Sequence, residues 1–185
     1  MGRLPRTGGR GPFRGNARYR ADCGALQDLE RRYVPLTGKA EVIANGVHFG
    51  AFPALPKRPV VLAAGRLWDE GKNFAGLDAI ATGLTWPTEI AGDAEHTDGG
   101  IPNFSNVRLL GELNPPQMAR HLASASIFAA PARYEPFGRA IPEAAAAGCG
   151  LVLGDIPSSR ESWDGVAVFV PPEDRLALAT LLERA

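Results

Sequence analysis

Two glutamates stand eight positions apart in the stretch "RYEPFGRAIPEAAAAG", which runs from Arg133 to Gly148. Glu135 lies in a segment that contains proline and glycine, and Glu143 begins a run of small residues that favours a helix. A carboxylate can accept hydrogen bonds at both of its oxygens, so it suits a pair of sugar hydroxyls. The alternative is a solvated helix start, because acidic residues are favoured near helix N-termini.

Two basic residues follow an apolar run that is typical of a buried strand. In "AAGRLWDEGKN", Arg66 and Lys72 come directly after residues 59–65, and a helix is predicted next. Two cations beside a helix N-terminus form an anion site, and phosphate is the usual anion. The alternative is that the cations pair with Asp69 and Glu70 on the surface.

Gly138 lies between the two glutamates, where the chain enters the predicted helix. Glycine lets the backbone come close to a ligand, and the first N–H groups of a helix have no partner within it. This stretch can therefore bind hydroxyl and phosphate oxygens together, which is what a nucleotide sugar presents.

Short apolar runs alternate with amphipathic segments along most of the chain. Strands are predicted at residues 40–46, 59–65, 88–92, 106–111, 126–131, 150–154 and 166–170. Helices are predicted at residues 22–33, 74–83, 114–125, 139–148 and 173–185, with one more after a capping box at 158–161. This alternation predicts an α/β protein with a Rossmann-like parallel sheet and helices on both faces. Such sheets bind ligands at the carboxyl ends of their strands.

The segments that contain these residues resemble glycosyltransferase family 4. The E-x7-E spacing within "ARYEPFGRAIPEAAAAGC" resembles the family's signature, and "AAGRLWDEGKN" resembles its phosphate segment. Four more segments agree in order, namely "VIANGV" (42–47), "EIAGD" (89–93), "LGEL" (110–113) and "GDIPSSRES" (154–162). The resemblance covers residues 21–185. It implies one half of a GT-B fold, in which two Rossmann-like domains enclose the site, and a reaction that retains anomeric configuration.

The resemblance implies a binding site for a UDP- or GDP-sugar donor. In this site Arg66 and Lys72 would bind the diphosphate and stabilise the leaving nucleoside diphosphate. Glu135 would face the transferred sugar. The implied catalytic residues are therefore Glu135, Arg66 and Lys72.

The resemblance also implies which residues hold the rest of the donor. Glu143 would bind the ribose hydroxyls, and the backbone amides of Phe137 and Gly138 would lie near the sugar. The segment from Gly111 to Leu113 would touch the base.

The overall composition does not indicate a nucleic-acid or membrane partner. The formal net charge is zero, and no apolar stretch is long enough to span a bilayer. Cys23 and Cys149 form no CxxC pair, which favours reduced thiols in a cytoplasmic protein. His48, His96 and His121 show no metal-binding spacing. The resemblance likewise implies no metal cofactor, because protein cations take the place of a metal ion.

Three regions are predicted along the chain. Residues 1–20 contain six arginines and no acidic residue, and this composition predicts a disordered leader. Residues 21–39 are predicted to be a linker helix region. Residues 40–185 are predicted to be the nucleotide-sugar-binding domain, the C-terminal half of a GT-B fold cut short at its C-terminus. The expected partners are then a separate N-terminal domain, or a second copy that associates through the interdomain face.

The resulting hypothesis is hexosyl transfer to an unknown acceptor, as in polysaccharide biosynthesis, by a chain that binds its donor weakly and does not turn over by itself. The main alternative is an inactive nucleotide-binding fragment or scaffold. A glycoside hydrolase also uses two carboxylates, and a nucleotide-sugar epimerase of the same fold would need histidines and acids from two domains.

Overall fold

The computed structural model describes residues 46–48, 50, 52–93, 103–136 and 138–184. The predicted leader and linker region, and nearly all of the predicted strand 40–46, lie outside the described residues. Phe137 and His96 also lie outside them. Everything below concerns the described residues.

Six strands form one sheet in which every neighbouring pair is parallel. They are β1 (Arg58–Ala64), β2 (Thr88–Ala91), β3 (Arg108–Gly111), β4 (Ala125–Ala130), β5 (Gly150–Gly154) and β6 (Val168–Val170). The strand order is β3-β2-β1-β4-β5-β6. This is the doubly wound order of a Rossmann fold, so the predicted fold class is confirmed.

Five helices connect the strands and cover both faces of the sheet. They are α1 (Phe74–Ala81), α2 (Pro115–Ser124), α3 (Ala140–Ala146), α4 (Pro157–Trp163) and α5 (Arg175–Arg184). Alternate residues of a strand point to opposite faces. Val61 and Ala63 accordingly join a core with residues of α1 and α5, whereas Leu62 joins a second core with residues of α2 and α3. None of the described helices has the length and apolar character needed to cross a membrane.

The middle of the sheet is where the strand order reverses direction. From β1 the chain continues to β2 on one side, and from β4 it continues to β5 on the other side. The loops that follow β1 and β4 therefore diverge at the carboxyl ends of two neighbouring strands. A crevice opens between such loops, and these two loops carry the predicted cations and carboxylates.

The sequence predicts the N-terminal cap of α2 correctly but not that of α4. Asn114 caps α2 in a full capping box with Gln117, and Pro115 is the first helical residue, as its position predicts. The capping box predicted for α4 is wrong, because Ile156 occupies the N-cap without a side-chain bond. The Ser158 hydroxyl instead donates to the Glu135 carbonyl oxygen at 2.8 Å. A residue that sequence assigns to a helix cap therefore supports the Glu135 loop.

Candidate functional site

A cleft of about 790 Å³ lies at the carboxyl ends of the central strands. Most of the predicted site residues line it, namely Arg66, Lys72, Leu113, Glu135, Gly138 and Glu143. Gly111 ends β3 but is not among the lining residues, and Phe137 lies outside the described residues. The fold therefore brings together side chains that are far apart in the sequence.

Lys72 and Glu135 form an ion pair at the base of the cleft. Lys72 Nζ donates to Glu135 Oε2 at 2.5 Å, and the side chains are only 15% and 13% exposed. The other carboxylate oxygen, Oε1, accepts the Gly138 backbone N–H at 2.7 Å. A charged hydrogen bond with little exposure to water is stronger than a surface pair. Glu135 therefore neutralises Lys72 and holds its own loop.

Arg66 is the more accessible of the two cations. Its side chain is 60% exposed, and Nη2 lies 2.7 Å from Asp69 Oδ2. Its guanidinium stands 4.9 Å from the centroid of the Trp68 ring. The surface pairing considered as an alternative is thus present for Arg66. An exposed pair of this kind contributes about 1 kcal/mol or less, so an incoming anion can compete with Asp69 for Arg66.

Glu143 stands in the first turn of α3, half-buried, with its residue on the wall of the cleft. Pro142 precedes it, and a proline is tolerated there because the first-turn N–H groups have no helical partner. Gly138 has a φ of 53°, and a Cβ at this position would lie 2.5 Å from Ile141 Cδ1. Glycine is therefore required where the chain turns into α3 and brings Glu143 to the cleft.

A close approach between two backbones forms the floor of the cleft. Gly92 follows β2, and a Cβ on it would lie 1.7 Å from the Gly65 carbonyl oxygen. The Gly92 N–H donates to Gly111 at 2.8 Å, and the Gly65 N–H donates to Ala91 at 2.9 Å. Only a residue without a side chain fits at this crossing, so the glycine of "EIAGD" has a packing reason.

The loop that carries Glu135 is tied down on its outer side by Arg133. Arg133 Nε and Nη2 donate to the two oxygens of Glu173 at 2.5 and 3.1 Å, and Nη1 donates to the Glu70 carbonyl. The hydrogen bond to Glu173 raises the pKa of Arg133, and the same bond lowers the pKa of Glu173. Both groups therefore stay charged at neutral pH.

Tyr134 and Met118 are among the lining residues that sequence reasoning does not single out. Tyr134 is 60% exposed at the cleft and comes directly before Glu135. Met118 lies in α2, shortly after the segment that ends at Leu113. Each of these residues lies next to a loop at the carboxyl end of a strand. Once the strand order is known, that position identifies both as residues of the cleft.

No group of three or more histidine, cysteine, aspartate or glutamate residues in the described part of the chain could hold a metal ion. His121 lies away from the cleft lining, with Nδ1 3.5 Å from Glu89 Oε2.

Comparison with known proteins agrees with the fold. Residues 58–185 match the family model described as glycosyl transferases group 1. No curated protein matches the sequence significantly. Many solved structures match, and they include GT-B glycosyltransferases.

Three of these structures illustrate the likeness, which at this level of identity concerns the fold. A sucrose-phosphate synthase from Thermosynechococcus elongatus is 23% identical with a TM-score of 0.72, over 89% of this chain and 47% of that chain. Anabaena HepE in complex with UDP-glucose is 20% identical with a TM-score of 0.74, over 93% and 54%. WaaG, a glycosyltransferase involved in lipopolysaccharide biosynthesis, is 14% identical with a TM-score of 0.68, over 89% and 52%. The chain thus spans about half the length of these structures. With the family model matched over most of its length, the chain belongs to the group 1 glycosyl transferases.

Proposed function

We propose that this chain is the donor-binding half of a retaining glycosyltransferase that uses a nucleoside diphosphate sugar. One observation carries the proposal. Arg66 and Lys72 follow β1, Glu135 and Glu143 follow β4 or begin α3, and all four line one cleft at the switch point of the sheet. Phosphate and sugar hydroxyls are the two chemistries that such a set of side chains recognises together.

The two cations serve the diphosphate. During transfer, the bond between the anomeric carbon and the β-phosphate oxygen breaks, and its electron pair leaves with the nucleoside diphosphate. An acceptor hydroxyl oxygen bonds to the same carbon, and its proton passes to an oxygen of the departing nucleoside diphosphate. Arg66 and Lys72 stabilise the charge that grows on the leaving phosphate. Because protein cations do this, we propose that no metal cofactor is needed and that a chelator leaves donor binding unchanged.

The two glutamates serve the hydroxyls. Glu143 is free to accept from the two ribose hydroxyls at the wall of the cleft. Glu135 faces the transferred sugar, and its oxygens are otherwise held by Lys72 and Gly138. When the donor binds, its phosphate therefore replaces the Glu135 carboxylate as the partner of Lys72. Glu135 then becomes available to the sugar.

The base is placed at the β3 end of the cleft. Leu113 and Met118 offer apolar contact there, and Glu112 stands beside them. The match to HepE in complex with UDP-glucose supports a uridine donor, and a guanosine donor is the competing choice. The acceptor would be held by a second domain or a partner chain.

The second candidate function is nucleotide binding without catalysis, as a scaffold or sensor. The observation in its favour is that both predicted cations of the cleft are already paired with carboxylates, Arg66 with Asp69 and Lys72 with Glu135. A transfer assay with radiolabelled donor separates the two functions once the chain is combined with a domain that holds the acceptor, because a scaffold still binds the nucleotide without consuming it.

Calorimetric titration of the 185-residue chain with UDP, GDP and ADP tests the donor site. We expect one nucleotide to bind selectively, and we expect Arg66→Ala and Glu143→Ala each to weaken it by about tenfold or more. Arg120→Ala and Glu161→Ala are matched controls, since both residues are exposed and neither lines the cleft. Absence of binding to all three nucleotides, or equal losses in the controls, would contradict the proposed site.

A further inference from the structure

Asn73, which directly follows Lys72 of the cleft, combines an unusual backbone conformation with nearly complete burial of a polar side chain. Among the described non-glycine residues it alone has a positive φ, at 59°, and it is 2% exposed. It stands between the 3₁₀ turn Glu70–Lys72 and the first residue of α1, Phe74. The left-handed conformation turns the chain there, so that Lys72 lines the cleft while Phe74 enters the core.

The Asn73 side chain does not cap α1, although its position before the helix predicts a cap. Its Nδ2 instead donates to the Pro131 carbonyl at 3.0 Å and to the Pro172 carbonyl at 2.8 Å. Pro131 begins the loop that carries Glu135, and Pro172 lies beside Glu173, which holds Arg133 of the same loop. One amide group thus joins the segment of Lys72 to the segment of Glu135.

A turn alone would not require this residue. Glycine adopts a left-handed conformation without cost, whereas the asparagine leaves Oδ1 buried with no hydrogen-bond partner among the described residues. The neighbouring helix also makes room for it, because a Cβ on Gly76 would lie 2.9 Å from Asn73 Oδ1. What asparagine supplies and glycine cannot is the pair of N–H donors.

We propose that Asn73 is a positioning residue, which sets the register between Lys72 and Glu135 by tying their two backbone segments together. It acts through these side chains and does not touch the donor. Its purpose rests on the proposed function, because the Lys72–Glu135 pair matters where a donor diphosphate competes for Lys72. The geometric claim can be tested without any nucleotide.

The test measures the coupling between Lys72 and Glu135 by a double-mutant cycle on unfolding by urea. The cycle uses Lys72→Met, Glu135→Gln and the double variant, first in the parent chain and then with Asn73→Gly. We expect the coupling to change the unfolding constant by about fivefold or more in the parent, and by less than about twofold with Asn73→Gly. Asn73→Ala, which lacks the N–H donors and adds no charge, replaces Asn73→Gly if that variant does not fold.

Lys57→Met is the matched control, because Lys57 lies before β1 at the opposite end of the sheet. It should lower stability but leave the Lys72–Glu135 coupling as it is in the parent. A coupling that survives loss of the Asn73 donors, or that is below about twofold in the parent, overturns the proposal. The failure of the proposed function has a different signature, since the parent chain would then bind no nucleotide while the cycle still gives its answer.

Discussion

At the scale of single residues, both predicted cations of the cleft already have carboxylate partners. Lys72 is held by Glu135, and Arg66 is held by Asp69. A ligand with phosphate groups must therefore displace carboxylates instead of filling an empty cationic site. The two pairs differ in burial, so Arg66 exchanges its partner easily and Lys72 sets the larger cost.

Removing the charge of Glu135 should strengthen the binding of a nucleoside diphosphate that has no sugar. With Glu135→Gln, Lys72 loses its internal counter-charge and the diphosphate loses a repulsive neighbour. A unit charge about 10 Å away at an effective dielectric constant near 20 is worth about 1–2 kcal/mol, or roughly tenfold in affinity. Calorimetry with UDP and GDP measures this change.

Glu161→Gln is the control for that substitution, because Glu161 is exposed and does not line the cleft. An affinity that is unchanged or weaker in Glu135→Gln would mean that the carboxylate does not compete with phosphate for Lys72. When the chain is combined with a domain that holds the acceptor, the same variant should abolish sugar transfer, since the proposed sugar contact is lost.

The sequence predicts these residues but not how they pair. The spacing of the glutamates, and the position of the cations after a buried strand, identify both groups. The Lys72–Glu135 pair joins residues 63 positions apart, and it depends on β1 and β4 being neighbours in the sheet. Local rules assign Asn73 and Ser158 to helix caps. In the structure, both side chains instead donate hydrogen bonds to carbonyls that are distant in the sequence.

At the scale of elements, the two ends of the sheet have different tasks. Lys57 lies before β1, and its Nζ donates to the carbonyls of Leu122, Ala125 and Ala147 at 3.2, 2.8 and 2.8 Å. Leu122 is in the last turn of α2 and Ala147 is the C-cap of α3. One ammonium thus satisfies the negative ends of two helices and the start of β4.

Lys57→Met should lower the free energy of unfolding by about 2 kcal/mol, because three carbonyls lose a charged donor. Urea unfolding measures the loss. Nucleotide affinity should stay at the parent value, because the cleft lies at the other end of the sheet. A large fall in affinity at a temperature where the variant is folded would show that the two ends are coupled.

The end of β5 supports the Glu135 loop by leaving space for it. A Cβ on Gly154 would lie 2.2 Å from the Ala132 carbonyl oxygen, so Gly154→Ala must displace the loop backbone. We expect a loss of about 1–3 kcal/mol in stability together with weaker nucleotide binding, measured by urea unfolding and calorimetry.

Gly150→Ala is the matched control on the same strand. Its nearest contact would be the Ser126 carbonyl at 3.6 Å, an ordinary van der Waals distance. It should leave stability and nucleotide affinity close to those of the parent. If Gly154→Ala behaved in the same way, the loop would not depend on this close approach.

Most elements follow from local patterns in the sequence. The apolar runs at β1, β4 and β5 and the cap of α2 give positions within one or two residues of those observed. The order of the strands does not follow from any local pattern. The parallel doubly wound arrangement is predicted because helices alternate with strands, and it is this arrangement that places the β1 and β4 loops side by side.

At the scale of the whole molecule, ion pairs at the surface make the stability of the fold slightly dependent on acidic pH. The hydrogen bond from Arg133 lowers the pKa of Glu173, and the hydrogen bond from Arg160 lowers the pKa of Asp155. A carboxyl whose pKa is lower in the folded state stabilises the fold above its unfolded pKa. That stabilisation is lost as the pH falls through the folded value.

We therefore expect the free energy of unfolding to fall as the pH drops below about 4. Both carboxyls are at the surface, so the contribution of these pairs should be small and should shrink further in about 0.5 M NaCl. Urea unfolding across this pH range, with Glu173→Gln as the comparison, measures it. A parent and variant with the same pH profile would show that the Arg133 pair does not contribute.

The proposed ligand cleft and a group of charge contacts that support the fold lie at opposite ends of the sheet. The cleft and its charge pairs lie at the carboxyl ends of the strands. At the amino end, the carboxylate of the buried Glu89 forms an ion pair with Arg108 at 3.1 Å. Arg58 and His121 lie 3.8 and 3.5 Å from the same carboxylate. A ligand of the cleft should therefore leave the surroundings of Lys57 and Glu89 undisturbed.

Backbone amide NMR during a titration with UDP and GDP tests this most directly, because it locates the ligand residue by residue. Saturable shifts should cluster at Gly65, Lys72, Asn73, Gly138 and Glu143, while Lys57 and Glu89 stay unchanged. Saturable shifts confined to the amino end of the sheet, or no shifts with either nucleotide, would contradict a nucleoside diphosphate site between the β1 and β4 loops.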